Sequence, residues 1–339
     1  MKRNLKVLIL GKGNIGKGVS YYLKKFKVAK RVAFLNNENK INDFDILIGV
    51  LPSRIGKNGL RLALKHKKDL IDVSAVDIPF YLKLKKEILK REIRVIPGCG
   101  FDPGLVNLIL GFESQKFERI NKIEISAGTL PTNTNFFFPF TWCFEDLIEG
   151  HLFGASLIKN GKSVDLSPFA GYKREKLKGV GEFESYFIEE WSSLPYTIKP
   201  KNLSFRVIRP IGFFHFFQYL KNYGFFQKKN ISFAKNLFGQ KKVDNTTLAL
   251  IKISGTTKGK KREVSWKIFS FAKKGEFLNS MQKITAIVPV VIIKLFLKDK
   301  IKDKGILFME EIGRNKDLFK EALKELKKEK SLTFLRKLI

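Results

Sequence analysis

Six residues near the N-terminus restrict the fold more than any others: Gly11-Lys12-Gly13-Asn14-Ile15-Gly16. They follow the apolar run Leu5–Leu10, read as a buried strand. They open Asn14–Phe26, where Ile15, Val19, Leu23 and Phe26 recur at helical spacing. A G-x-G-x-x-G turn between a strand and a helix is a dinucleotide signature with a physical basis. Gly11 permits the tight turn, Gly13 lets a pyrophosphate approach the backbone, and Gly16 lets the helix pack closely on the strand. The helix N-terminus, with Asn14 and Ile15, adds unpaired N–H groups and the positive end of the dipole.

The next stretch alternates strand and helix. Arg31–Leu35, Asp45–Leu51, Asp69–Val73 and Ile93–Ile96 read as strands, and Ile55–His66 and Pro79–Arg91 as helices. Asp45–Leu51 is nearly all apolar, as a parallel strand covered on both faces should be. The alternation predicts an α/β, Rossmann-type parallel sheet. Asn36–Asp43 is too short for a crossover helix plus strand, so this sheet is shortened beside the cofactor.

After Gly98–Gly104 the pattern changes. Ile120–Gly128, Val180–Phe187, Leu203–Ile208, Thr247–Ser254 and Val264–Phe271 read as strands. Phe144–His151, Met281–Leu297 and Lys316–Lys328 read as helices. An α+β second domain with an antiparallel sheet is expected. The division is 1–118 for dinucleotide binding, 119–275 for substrate and dimerisation, and 276–339 for C-terminal helices packing partly back on the first domain. The aromatic runs Phe136–Phe140 and Phe213–Phe217 suit a core or a dimer interface better than a pocket.

In open α/β sheets, ligands lie beyond the carboxyl ends of the strands. Those ends carry Asn36, Leu51-Pro52-Ser53, Asp72-Val73-Ser74 and Pro97–Gly104. Asn36 stands where an acidic residue usually holds the adenosine ribose. It can still accept a hydroxyl hydrogen bond, and it brings no charge to repel a 2′-phosphate. The cofactor is therefore NAD or NADP, with Leu51, Pro52 and Ser74 lining its site. Asp72 and Asp102 are acid–base or ammonium-binding candidates. Each is equally suited to capping a turn or helix, and Asp102 the more so, before Pro103 and Gly104.

Gly98–Asn107, GCGFDPGLVN, resembles the corresponding loop of the saccharopine dehydrogenase superfamily. Later segments resemble lysine 6-dehydrogenase and its relatives: Ala127–Pro131, Phe144–Ile148, Ser193–Thr197, Arg206–Gly212 and Lys304–Leu307, in that order. The resemblance implies an NAD(P)-dependent oxidoreductase acting on a C–N bond of an amino acid or its adduct. It implies a small amino-acid-like substrate, a homodimer, and Arg209, then Arg206, as binders of a substrate carboxylate, with Cys99 beside them. Guanidinium forks match carboxylates. The chain departs from the family at Asn36, at Tyr196 in place of a basic residue, and at Phe213 in place of a His. These departures motivate a second reading, a non-catalytic dinucleotide-binding member.

Lys+Arg number 65 and Asp+Glu 32, giving a net charge of +33. That charge motivates a third reading, a polyanion binder, but the lysines form no tail and no nucleic-acid motif. No specific nucleic-acid partner is expected. Cys99, Cys143 and three His without metal spacing argue against a metal site or a disulfide framework. The longest apolar run, Ile284–Leu297, is short for a spanning segment and holds Pro289 and Lys294. Lys2, Arg3 and Leu5–Leu10 imitate a signal peptide, but Gly11 ends that run too soon. A cytoplasmic protein without a membrane partner is expected.

Overall fold

The computed structural model describes residues 5–132, 138, 142–189, 192–239 and 243–338. The first hundred residues lay down β1 (Lys6–Ile9), α1 (Asn14–Lys25), β2 (Arg31–Phe34), β3 (Ile46–Gly49), α2 (Ser53–His66), β4 (Asp69–Asp72), α3 (Ile78–Lys83), α4 (Lys85–Lys90) and β5 (Arg94–Ile96). The helix expected over Pro79–Arg91 is thus two. Leu84, at φ −94° and ψ 6°, lies outside helical geometry and breaks it. α5 (Leu105–Ser114) follows the glycine loop.

The middle of the chain forms β6 (Arg119–Pro131), α6 (Phe144–Leu152), β7 (Ala155–Lys159), β8 (Lys162–Leu166), β9 (Lys173–Leu177), β10 (Gly181–Phe187), α7 (Leu194–Thr197), β11 (Asn202–Arg209), α8 (Phe213–Asn222), α9 (Ile231–Gly239), β12 (Asn245–Thr257) and β13 (Lys260–Ala272). It ends with α10 (Ser280–Leu297), β14 (Gly305–Ile306), α11 (Met309–Arg314), α12 (Lys316–Leu326) and β15 (Leu332–Leu338). Phe213–Phe217 therefore starts a helix. Most of Phe136–Phe140 lies outside the described residues.

The first sheet has the order β14-β5-β4-β3-β1-β2, and every pairing is parallel. β2 is an edge strand. A 3-10 helix, Glu38–Asp43, capped by the Asn37 side chain, makes the whole connection to β3. The strand–helix unit that ordinarily extends such a sheet is absent here, as the short Asn36–Asp43 interval requires. Val7, Ile9, Leu47, Ile48, Leu70 and Ile71 have no solvent exposure, the pattern of strands covered on both faces.

The second sheet runs β15-β13-β12-β6-β11-β10-β9, with β7 pairing β11 and β8. Its pairings are antiparallel apart from the parallel pair β6–β11.

Two compact units result. One comprises Met1–Lys116, Trp191–Lys199 and Gln282–Lys330, the other Phe117–Glu190, Pro200–Met281 and Ser331–Ile339. The units interleave along the chain because packing partners are distant in sequence, and Gln282–Lys330 falls in the unit of the first sheet. α5 meets α11 through two glycines. A methyl at Gly111 would strike the Glu310 backbone, and one at Gly313 the Leu108 carbonyl. Phe112 stacks on Phe319 of α12 with ring centroids 4.0 Å apart. α10 is long and apolar enough to cross a membrane, yet 78% of it is buried inside the protein. Lys294 in its last turn pairs with Glu325 at 2.6 Å. Its hydrophobicity is that of a core helix.

Candidate dinucleotide and carboxylate sites

The parallel register brings the loops after β1 to β5 to one edge of the first sheet. The turn after β1 is sealed below and open above. A methyl at Gly11 would press on the Val50 carbonyl, and one at Gly16 would run into the Gly11 carbonyl. At Gly13 nothing lies within 4 Å of the space a methyl would take. Gly13 is also the N-cap of α1, where no side chain makes a capping hydrogen bond and the first turn holds no acidic residue. Lys12, Gly13 and Asn14 are exposed and Ile15 is half-buried. A phosphate group fits this cradle sterically and electrostatically.

Asn36 lies exposed one residue past Leu35, whose N–H donates to the Ile9 carbonyl at 2.9 Å. It therefore flanks the cradle from the edge strand. Leu51 and Pro52 are half-buried at the start of α2. Ser74 is 4% exposed and accepts the Leu51 N–H at 3.0 Å, so its hydroxyl ties two of the loops together.

Asp72, the acid–base candidate after β4, has no exposure. Its Oδ1 accepts the Ser74 N–H at 2.9 Å and its Oδ2 the Tyr81 hydroxyl at 2.8 Å. Its carbonyl accepts the Cys99 N–H. Burial raises its carboxyl pKa, and the hydrogen bonds from Ser74 and Tyr81 oppose that. Asp72 is a fixed post joining the loops after β3, β4 and β5. Cys99, the other candidate in this loop, is also fully buried. Burial first, and then the charge of Asp72, push its thiol pKa well up.

Asp102 behaves differently. It does not cap α5: the N-cap is Gly104, whose N–H donates to Asn107 Oδ1 at 2.9 Å. Asp102 Oδ1 is shut from solvent without a hydrogen-bond partner among the described residues. Burial pushes its pKa up to about 7. A half-buried carboxyl so placed can hold or take up a proton near neutrality. Behind the loop, Asn107 Nδ2 donates to Glu310, which also accepts from Ser193 and Thr197.

In the second unit, Arg209 ends β11 and is 1% exposed. Its Nε–H donates to His151 Nε2 at 3.2 Å, and Nη1 donates to the Ile208 carbonyl at 3.1 Å. His151 Nδ1 is left to donate to the Leu147 carbonyl, which fixes a neutral tautomer. Burial, then the charge of Arg209, hold the His151 pKa well below its usual value. Trp142 and Phe213 lie at 5.7 and 5.6 Å from the guanidinium. Among the described residues Arg209 has no carboxylate ion pair, and the Tyr186 hydroxyl lies against its guanidinium. Glu184, paired with it across β10, is engaged by the N–H groups of Gly212 and Phe214. Tyr186 is buried in the same aromatic cluster; burial raises its pKa, and the adjacent Arg209 charge opposes that.

Arg206, the second carboxylate-binding candidate, is engaged within the sheet. Its guanidinium donates to the Ser185 hydroxyl and carbonyl, both at 3.0 Å, and to the Gly171 carbonyl, and stacks on Phe187. It clips neighbouring strands together.

Tyr81, Glu310, His151 and Tyr186 were not singled out from the sequence. Glu310 and His151 meet partners far along the chain, and Tyr81 reaches Asp72 nine residues back across a loop, so no short motif marks them. Among the described residues no cluster of His, Cys, Asp and Glu could hold a metal ion.

A shortened parallel sheet carrying a glycine cradle, followed by a large mixed sheet, is the α/β two-domain fold of dehydrogenases. The profile of the saccharopine dehydrogenase C-terminal domain matches residues 100–332, and the chain belongs to that family. It is similar in structure to apo saccharopine dehydrogenase (L-Glu forming) from Saccharomyces cerevisiae. The TM-score is 0.76 at 16% identity, over 99% of this chain and 100% of that one. It is also similar to a homospermidine synthase from Legionella pneumophila, solved in complex with NAD. There the TM-score is 0.60 at 13% identity, over 95% of this chain and 89% of the other. At such identities the likeness is one of fold. No curated protein sequence matches significantly.

Proposed function

We propose that the chain is an NAD(P)-dependent oxidoreductase acting on a C–N bond of an amino acid or an amino-acid adduct. The observation that carries this reading is the cradle: Gly11 and Gly16 packed against backbone, Gly13 open, and α1 uncapped behind it. Its backbone N–H groups would hold the pyrophosphate and Asn36 the ribose, with Leu51, Pro52 and Ser74 beneath. A bound nicotinamide dinucleotide supplies the hydride acceptor or donor, and the protein positions what reacts with it.

The chain's own groups suit an amino-acid-like ligand. Arg209 is a buried cation without a carboxylate ion pair among the described residues, with the Tyr186 hydroxyl against it. An unpaired buried charge is costly, and a ligand carboxylate would offset that cost through a charge-assisted bond. Asp102 Oδ1 is a buried acceptor suited to an ammonium or to a proton released near neutral pH. Similarity to a saccharopine dehydrogenase favours the same substrate class.

Fluorescence titration of NADH and NADPH, followed by a turnover screen of amino acids with both oxidised cofactors, tests the proposal. Binding with turnover of a C–N substrate supports it. Binding without any turnover favours the non-catalytic reading, and absence of binding refutes both.

A further inference from the structure

One surface of the second unit has no part in either site. From Trp191 to Val243 the chain contains no Asp or Glu. α8 and α9 fall within that stretch. They bury Phe213, Phe217, Leu220 and Ala234 on one side. On the other they expose Tyr219 (65%), Phe233 (62%) and Leu237 (45%), with Tyr223 (79%) at the end of α8. Lys221, Lys228, Lys229 and Lys235 are exposed around these side chains. Among the described residues only Lys235 of the four has an acidic partner, Glu145.

We propose that this α8–α9 face docks peripherally on an anionic lipid bilayer. Clustered exposed apolar side chains on a soluble protein mark a binding surface. Charge decides among its occupants. A second copy meeting the same face would set Lys221, Lys228 and Lys229 against their own counterparts, and the one acidic side chain there, Glu145, is already held by Lys235. A nucleic acid would satisfy the lysines but offer nothing to the aliphatic Leu237. A bilayer surface satisfies both halves: rings and Leu237 enter the boundary between headgroups and acyl chains, while lysines reach lipid phosphates. The contact is peripheral because the one spanning-length apolar helix among the described residues, α10, is interior.

The test is cosedimentation of the full chain with vesicles of phosphatidylcholine alone, or with about one third phosphatidylglycerol, near physiological salt. Binding is expected only to the anionic vesicles. Tyr223→Ser/Phe233→Ser, which keeps the net charge, should lower the partition coefficient at least about fivefold. Lys228→Glu/Lys229→Glu should lower it more than the same change at Lys260 and Lys261, exposed lysines of the β12–β13 hairpin. Leu237→Ser is a milder replicate should the double variant fold poorly.

Wild-type binding by these apolar-to-serine variants would overturn the proposal, leaving only the general positive charge. Two other results also overturn it. One is a vesicle-free dimer dissolved by Tyr223→Ser/Phe233→Ser. The other is a single-stranded oligonucleotide whose binding that variant abolishes while vesicle binding persists.

Discussion

His151 Nε2 accepts the Nε–H of Arg209 at 3.2 Å, so a neutral imidazole and a buried guanidinium share one apolar cluster. The imidazole occupies one edge of the cation, and the Tyr186 hydroxyl also lies against it. The pair can stay buried only while His151 is unprotonated, since a second positive charge would sit beside the first.

That relationship sets a pH dependence. The folded chain holds the His151 pKa well below its usual value. As pH falls below about 6.5, the unfolded chain takes up a proton that the folded chain refuses. Stability from this group is therefore complete above that pH and is lost on acidification, by at most about 1.4 kcal/mol per pH unit. Urea unfolding of wild type and His151→Gln at pH 8 and pH 5 measures it. The wild type should lose more on acidification, and equal losses would refute the assignment.

The two ends of the glycine turn should respond oppositely to substitution. Gly16→Ala drives a methyl into the Gly11 carbonyl and should destabilise the first unit by ~1–3 kcal/mol. Gly13→Asp enters open space, so the fold should survive while nicotinamide dinucleotide affinity falls at least about tenfold from charge repulsion and blockage. Thermal melts and cofactor fluorescence separate the two effects.

Discrimination between the two cofactors should be weak. Asn36 ends an edge strand and brings no carboxylate to bind the ribose hydroxyls or repel a 2′-phosphate. Dissociation constants at one salt concentration are expected to differ by less than about a hundredfold, near 2.7 kcal/mol. A larger preference for NAD would contradict the role given to Asn36.

Asp102 gives a stability dependence of opposite sign. Its folded pKa is about 7, raised by burial. The proton is kept in the folded chain after the unfolded chain has released it, so this group's contribution is full below about pH 4 and is lost as pH rises toward 7. Asp102→Asn should therefore stabilise the protein at pH 8 more than at pH 4. The same variant should impair turnover of an amine substrate, even at pH 8, where its stability is higher.

Strands buried on both faces were legible because an unbroken apolar run has few other uses: β1, β3, β4 and β5 fall within the predicted spans. The shortened connection after β2 followed from chain length alone. β8 (KSVDL) and β9 (KREKL) were missed because they are half-exposed and lack apolar alternation. α8 was hidden because five aromatic or histidine residues in a row carry no helical period. At the site, the glycine cradle was readable as a local motif. The burial of Asp72 beneath Tyr81, of Cys99 behind the loop, and of Arg209 beside His151 is tertiary, and residue type alone could not distinguish a ligand group from a fixed strut.

The interleaving of the two units governs how the protein is made. The chain passes between them five times, and α10, α11 and α12, which pack against the first sheet's helices and loops, are translated long after β1 to β5. Until they emerge from the ribosome, the nascent Rossmann half lacks the partners of Phe112, Gly111 and Asn107. A chain stopped before Met309 lacks those contacts, and its first unit is expected to be cleaved by protease faster than that of the full chain.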